Sequence, residues 1–291
     1  MAKKFETSKS HLEQINLALV YVHNNFDSNI TAKDLAEVSG YSIFHFHRIF
    51  KAIVGQNIND YIRHIRLEKT SNILLYNQHQ TIAQIATNSG FSTATSFSFA
   101  FKKKFEMTPK EWRKSGYEKS YRSLVDINKY IDIDIDNPQI VKEDKIPIIY
   151  MRIFGYDKEV NEIWKTMFEF AEEMNILDNP HRYIGLFHNH PSFLPYNNTR
   201  YLACIQTESN IFRIANLGKC VISKGKFAKF NFRCKHSELY EMMHLAYIKW
   251  LPDSNYEVRN FPAYVEYKNP ENLLNNGLLE CDFYMPIQLI L

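Results

Sequence analysis

Two stretches decide the reading of this chain: Thr31-Ala32-Lys33-Asp34-Leu35-Ala36-Glu37-Val38-Ser39-Gly40-Tyr41-Ser42 and, fifty residues on, Thr81-Ile82-Ala83-Gln84-Ile85-Ala86-Thr87-Asn88-Ser89-Gly90-Phe91-Ser92. Thr31 matches Thr81, Leu35 matches Ile85, Ala36 matches Ala86, and Ser-Gly-Tyr-Ser matches Ser-Gly-Phe-Ser. This is an internal repeat. Thr31 with Asp34, and Thr81 with Gln84, have the spacing of an N-terminal capping box. Gly40 and Gly90 stand where a helix closes on a left-handed residue. Ser42 and Ser92 can cap the helix that follows. Ala36 and Ala86 are small enough for a second helix to cross closely. Each copy therefore reads as helix, tight turn, helix.

Working outward, the second helix of each copy spans residues 43 to about 54 and 93 to about 105. In the first, Phe46, Ile49, Phe50 and Ile53 fall on the inward face, leaving Phe44, His45, His47, Arg48 and Lys51 toward the other side. In the second, Phe97, Ala100, Phe101 and Phe105 point inward. Thr95, Ser98, Phe99, Lys102 and Lys103 lie on or beside the outer face. A preceding helix carries Leu12, Ile15, Leu19 and Val22 on one stripe. Between the copies, Tyr61, Ile62, Ile65, Ile73 and Leu74 mark a connecting helix of about 18–20 residues, or roughly 27–30 Å. Two outward helices held that far apart can enter successive major grooves, which repeat every ~34 Å. A single chain then needs no two-fold symmetry in its site.

The whole chain of 291 residues is 45% hydrophobic and 14% aromatic, enough apolar material for two cores of ordinary size. With only 9 Gly and 10 Pro, collagen-like and low-complexity classes are excluded. The longest apolar run, Leu17–Val22, is far too short for a membrane span. The polar start lacks the apolar core of a signal peptide, so the expected compartment is the cytoplasm. Cys204, Cys220, Cys234 and Cys281 are too far apart in sequence for a CxxC pair and read as buried thiols. His45 and His47 are two apart on a helix, on different faces, which argues against a metal pair. The formal net charge of +3 conceals an asymmetry. Residues 1–120 hold 16 Lys and Arg against 10 Asp and Glu, while residues 121–291 hold 19 against 22. The basic part suits a polyanion; the acidic part does not.

Residues 8–114 resemble the DNA-binding domain of the AraC/XylS family of transcription regulators. The likeness is carried by Leu35-Ala36, Ser39-Gly40-Tyr41-Ser42, His45, Arg48, Phe50-Lys51, Tyr61-Ile62-Arg63 and Arg66-Leu67. It continues through Ile85-Ala86, Ser89-Gly90-Phe91-Ser92, Phe101-Lys102-Lys103, Phe105, Met107-Thr108-Pro109 and Trp112-Arg113. The resemblance implies an all-α double helix-turn-helix domain over 1–115 that binds promoter DNA and works with RNA polymerase. It matches Phe44, His47 and Arg48 to base-reading positions of the first reader, and Thr95 and Phe99 to those of the second. Family members often carry Arg at the position of Phe99. Phenylalanine cannot bond guanine in two places, but it can touch a thymine methyl; otherwise Phe99 is simply packed. Lys102-Lys103-Lys104, at a helix end beside DNA, would bind phosphates.

Residues 116–139 read as a linker. Beyond it the pattern changes from period 3.6 to period 2: Ile146–Phe154 is a strand, Val160 to Met174 a helix, and Tyr183–Phe187 and Tyr201–Ile205 are strands. The order then repeats with a strand over 219–232, a helix over 239–250, and strands over 263–267 and 282–290. Strand, helix, strand, strand, twice over, is an α+β architecture with pseudo-two-fold organisation. Met151-Arg152-x-x-Gly155-Tyr156, Trp164, Tyr201-x-x-Cys204-Ile205, Trp250-Leu251-Pro252 and Pro262-x-x-x-Glu266-Tyr267 make residues 140–291 resemble the GyrI-like effector domain of Rob-type regulators. That resemblance implies a pocket for a small, often aromatic or cationic, effector. Glu266 is the candidate ligand contact, since a carboxylate among aromatics can hold an organic cation; the alternative is a glutamate facing water on an edge strand. Tyr267, Trp164, Tyr150, Phe154 and Trp250 are candidate walls, each equally a core residue. His188 and His190 lack a third ligand, and no metal or other cofactor is expected. Glu266 with Tyr267 or Tyr150 could support hydrolysis, but no nucleophile–base pair is visible, so the expected class is a transcription activator, not an enzyme. A protein-interaction module without ligand is the other reading of the second domain.

Overall fold

The computed structural model describes residues 2–114, 133–154, 160–174, 181–187, 200–207 and 217–290, without the side chains of 2–10, 154 and 200. The expected linker falls largely outside these residues, as do His188 and His190. The chain divides into two compact units, one built on Met1–Leu74 with Gln80–Trp112, the other on Arg113–Ser209 with Lys219–Leu291.

The first unit is helical, as the repeat requires: α1 (Ala2–Asn25), α2 (Ala32–Val38), α3 (Ile43–Val54), α4 (Ile58–Tyr76), α5 (Ile82–Asn88) and α6 (Ala94–Phe105). Both capping boxes form. Thr31 Oγ1 accepts from the Asp34 amide while the Asp34 carboxylate accepts from the Thr31 amide, and Thr81 and Gln84 do the same. Gly40 and Gly90 adopt φ of +67° and +77°, the left-handed turn expected of them. At Gly90 a Cβ would also sit 2.8 Å from the Arg66 guanidinium. That guanidinium donates to the carbonyls of Phe26 and Ser28, both at 2.7 Å, so α4 is tied to the turn ahead of the first copy. Ile15, Leu19, Leu35, Phe46, Phe50, Tyr61 and Ile65 form one core around α1–α4. Ile53, expected inward, is instead 38% exposed near the C-terminal end of α3.

The two long helices end alike but with different residues. Gly55 closes α3 at φ 80° and Glu106 closes α6 at φ 59°, each amide bonding a carbonyl four residues back. A side chain in that region costs about 1–2 kcal/mol, part of which glycine returns through its looser unfolded chain. Glu106→Gly will therefore stabilise the first unit by about 0.5–1 kcal/mol, read as a higher denaturation midpoint.

The second unit is a sheet of nine described strands, β1 (Gln139–Glu143), β2 (Ile146–Phe154), β3 (Tyr183–Phe187), β4 (Arg200–Gln206), β5 (Gly218–Ile222), β6 (Gly225–Lys235), β7 (Tyr256–Val258), β8 (Ala263–Tyr267) and β9 (Leu278–Leu289). Their order is β1-β6-β9-β8-β3-β4-β2-β5, with β7 beside β9. The stretch expected as one strand over 219–232 is two, β5 and β6. Helix α7 (Val160–Glu173) buries Val160, Ile163, Trp164, Met167, Phe170 and Ala171. Helix α8 (Leu239–Leu245) runs on through a wider turn, Ala246–Trp250, to Pro252. The Tyr240 ring meets Phe187 at 5.6 Å, and Tyr247 meets Phe283 at 6.1 Å.

His244 of α8 is fully buried, and burial pulls its imidazole down to about 3 from an ordinary 6.5. The folded state keeps it neutral, while the unfolded chain takes up a proton as pH falls through 6.5. Stability is therefore complete above that value and falls by up to about 1.4 kcal/mol per pH unit between 6.5 and 3. Denaturant titrations at pH 7, 6 and 5 will show this slope, and His244→Met will remove its share.

Candidate functional site

The outward faces of α3 and α6 form the first candidate surface. Phe46 and Phe50 anchor α3, and Phe97 and Phe101 anchor α6, all fully buried. Three-and-four-residue spacing then forces the remaining positions outward. Phe44 is 82% exposed and Phe99 75%; His47, Arg48, Lys51, Thr95, Lys102 and Lys103 are also exposed, and Ser98 is half-buried. His45 is different. It is half-buried, its ring 5.0 Å from Tyr41 and 5.6 Å from His11. Arg48 Nη2 lies 3.3 Å from His45 Nδ1. A guanidinium can only donate, so Nδ1 is the bare nitrogen and His45 steers Arg48. Lys104 also turns away: its Nζ pairs with Glu68 at 2.9 Å and the His64 carbonyl at 3.3 Å, pinning α6 to α4. Only Lys102 and Lys103 of the run are left at the surface.

The two faces are related by 51 residues, not 50. Ser42 caps α3, but Thr93 caps α6, its hydroxyl accepting from the Ser96 amide at 3.0 Å. Phe46, Phe50 and Gly55 accordingly correspond to Phe97, Phe101 and Glu106. Ser92 is therefore not the cap that the repeat suggested; the second turn holds one extra residue. The outward sets align as Phe44 with Thr95, His47 with Ser98, Arg48 with Phe99 and Lys51 with Lys102. The 51-residue spacing of the paired phenylalanines is present in the sequence, and it is the signal that fixes this register.

The second candidate surface lies on the sheet. Successive side chains alternate between faces, so Glu266 and Tyr267 cannot share one. Pairing places Ile184, Glu266 and Asp282 in one row, and Leu186, Tyr264 and Tyr284 in the next. Tyr267, Trp164 and Trp250 lie on the opposite, helix-bearing side. Trp164 Nε1 donates to the Tyr201 hydroxyl at 2.8 Å, which lies 3.2 Å from the Tyr267 hydroxyl, and Trp250 packs on Phe230 and Tyr256. Trp164 and Tyr267 are core residues and Trp250 is half-buried, so none of the three walls Glu266. Tyr150 does share the Glu266 face, paired through Cys204 and Ile184, and is buried. Phe154 pairs with Arg200 at the end of β2, and its side chain lies outside the described residues.

The real neighbours of Glu266 come from elsewhere. Arg182 reaches its carboxylate at 2.8 Å, Lys268 at 3.0 Å, and the Tyr284 hydroxyl donates at 3.1 Å. Arg182 also binds Glu143 at 2.8 Å and lies over the rings of Tyr264 and Tyr284, which stack 4.4 Å apart. Asp282 takes Lys229 at 2.9 Å and Lys268 at 3.0 Å. Burial alone would raise the Glu266 carboxyl, but Arg182 and Lys268 overcome it and hold the group below its usual range. Three carboxylates therefore face three cations. Tyr264, two residues before Glu266, was legible from period 2; Arg182, Tyr284 and Glu143 were not, because only strand order brings them in.

Comparison with known proteins gives two matches to family models. A helix-turn-helix domain matches residues 35–115, and a GyrI-like small molecule binding domain matches residues 136–288. The chain belongs to the GyrI-like family. Ahead of its GyrI-like domain it carries an AraC-type helix-turn-helix domain. Among its relatives are an HTH-type transcriptional regulator, YbfP, of Bacillus subtilis (strain 168) and the transcriptional regulator Rob of Salmonella typhimurium (strain LT2). The first is 37% identical over 93 residues, 32% of this chain and 31% of that protein. The second is 34% identical over 97 residues, 33% of this chain and 33% of that protein. The matched stretch thus spans about a third of each relative. The EcmrR C-terminal domain is similar in structure at a TM-score of 0.41 and 11% identity, over 52% of this chain and 97% of that one. Among the described residues no group of three or more His, Cys, Asp or Glu could hold a metal, and no helix is long and apolar enough to cross a membrane.

Proposed function

We propose that this GyrI-like regulator is a sequence-specific transcription activator that reads a promoter through α3 and α6 in successive major grooves and answers a small aromatic effector. The observation that supports it most is the matched pair of outward faces, built on equivalent buried phenylalanines and offset by 51 residues. Arg48, steered by His45, suits guanine O6 and N7, and Phe44 adds an apolar contact beside it. At the equivalent place in α6, Phe99 and Thr95 suit thymine methyls. The first half of the operator is then read at a G·C pair and the second at A·T-rich sequence. His47 and Ser98 flank these contacts, and Lys51, Lys102 and Lys103 hold phosphates. Helix α4, at 19 residues and roughly 28 Å, is the rod that spaces the readers. The effector acts by biasing DNA affinity or recruitment of RNA polymerase.

Binding to a promoter fragment will weaken steeply with salt, as several phosphate contacts require. Arg48→Ala will lose about 1–3 kcal/mol on the specific site and much less on random DNA. Equal losses on both, measured by mobility shift at fixed salt, would reduce Arg48 to a phosphate contact. Protein that ignores every promoter fragment even in dilute buffer would end the reading.

A further inference from the structure

The Glu266 face of the sheet carries a second arginine, and its situation is the reverse of Arg182's. Arg152 of β2 is half-buried, with Nε and Nη2 both buried and without a hydrogen-bond acceptor among the described residues. Its guanidinium lies 5.6 Å from the centre of the Tyr150 ring. β5, the next strand, carries the Cys220 thiol within electrostatic reach. Burial pushes that thiol up to about 12 against the pull of Arg152, so it remains protonated and supplies no counter-charge. The register Arg152–Leu202–Leu186–Tyr264 places Arg152 three strands from the stacked tyrosines, about 14 Å away along one face. Between them on this face lie Leu202, Leu186, Ile184 and Cys204, all buried.

A cationic fork with two N–H groups turned from water and no acceptor among the described residues is a costly arrangement. Its shape matches a carboxylate, which accepts two parallel bonds. The neighbouring Glu266 network cannot supply that carboxylate, because Arg182, Lys268 and Lys229 already saturate its three acids. We infer that the effector of this domain is a small aromatic carboxylic acid whose carboxylate is received by Arg152. This rests on the effector-sensing reading above and fixes the ligand's charge. An organic cation is disfavoured at the same face, where Arg182 already lies across the rings and carboxylates it would use.

The test is calorimetric titration of the full chain with 2-naphthoate, its neutral twin 2-naphthamide, and tetraphenylphosphonium. The expected result is naphthoate binding at least tenfold tighter than naphthamide. Arg152→Met should lose that tenfold preference while naphthamide binding stays unchanged, and Arg152→Lys should keep part of it. Because the methionine removes an uncompensated charge, the ligand-free variant should melt no lower than wild type. A lower melting temperature would reveal a hidden partner for Arg152 and overturn the inference, as would naphthoate binding that ignores the substitution. Tetraphenylphosphonium binding to wild type that is lost in Glu266→Gln would overturn the acid assignment yet sustain effector sensing. Silence toward all three probes would count against both.

Discussion

Arg182→Met will destabilise the second unit by about 3 kcal/mol, read as a lower denaturant midpoint with the slope unchanged. The arginine holds Glu143 and Glu266 together, each at 2.8 Å, and is itself only partly exposed. Methionine can cover the Tyr264–Tyr284 stack but leaves two half-buried carboxylates, Glu143 without this partner and Glu266 with Lys268 and the Tyr284 hydroxyl. Breaking one side of such a network costs about 3–5 kcal/mol when fully buried, and solvent at the rim reduces that. The pH dependence supplies a check. Glu266 is held below the ordinary carboxylate range in the wild type, so its contribution is present above pH about 4.5 and is lost as pH falls through the depressed folded value. Without Arg182 the carboxyl rises and protonates earlier. The gap between variant and wild type will therefore narrow on acidification, and a gap that stays constant down to pH 3 would assign the loss to packing alone.

Gly185→Ala will cost about 1–3 kcal/mol, a large effect for one methyl group. Gly185 sits in the centre of β3 opposite Ala203 and Val265. A Cβ there would lie 2.7 Å from both the Tyr201 and Tyr267 hydroxyls. Those hydroxyls continue the bond from Trp164, which ties α7 to the sheet. The methyl group must push the tyrosines apart, which breaks the chain between them and leaves buried polar atoms short of partners. Fluorescence of the α7 tryptophan will shift as its Nε1–H partner moves. Tyr267→Phe in the alanine background should recover part of the loss by removing one of the two clashing oxygens. An alanine variant as stable as wild type would mean that the two side chains yield freely.

The helical unit was legible in the sequence because its signals are local. Capping boxes, glycine turns and a stripe of phenylalanines each act within four residues, so Thr31, Gly40, Phe46 and Phe50 announce their roles without reference to distant chain. The same local logic separated Phe44 from the core but left Phe99 open to packing, and only the structure shows it 75% exposed. It failed where the second turn gained a residue, since Ser92 looks as good a cap as Thr93 until the buried Phe97 and Phe101 fix the phase of α6. His45 and Lys104 were misleading for another reason. Their side chains are long or planar enough to reach a neighbouring helix, and nothing in their spacing says that Tyr41 or Glu68 will be there.

On the sheet the balance reverses. Strand alternation is enough to put Tyr264 beside Glu266 and Tyr267 on the far side, a local rule that the expected Tyr267 wall overlooks. Which charges meet Glu266 was decided by the order β6-β9-β8-β3, which draws Lys229, Asp282, Tyr284 and Arg182 from across the unit into one layer. A strand's own sequence fixes only its two faces; its neighbours come from pairing between segments up to a hundred residues apart, whose partners no local preference encodes. The pattern of residues thus determined two helix-turn-helix copies and an α+β domain behind them. The tertiary pairing alone decided that the conspicuous glutamate is already neutralised and that, among the described residues, two buried N–H groups of Arg152 on the same face have no acceptor.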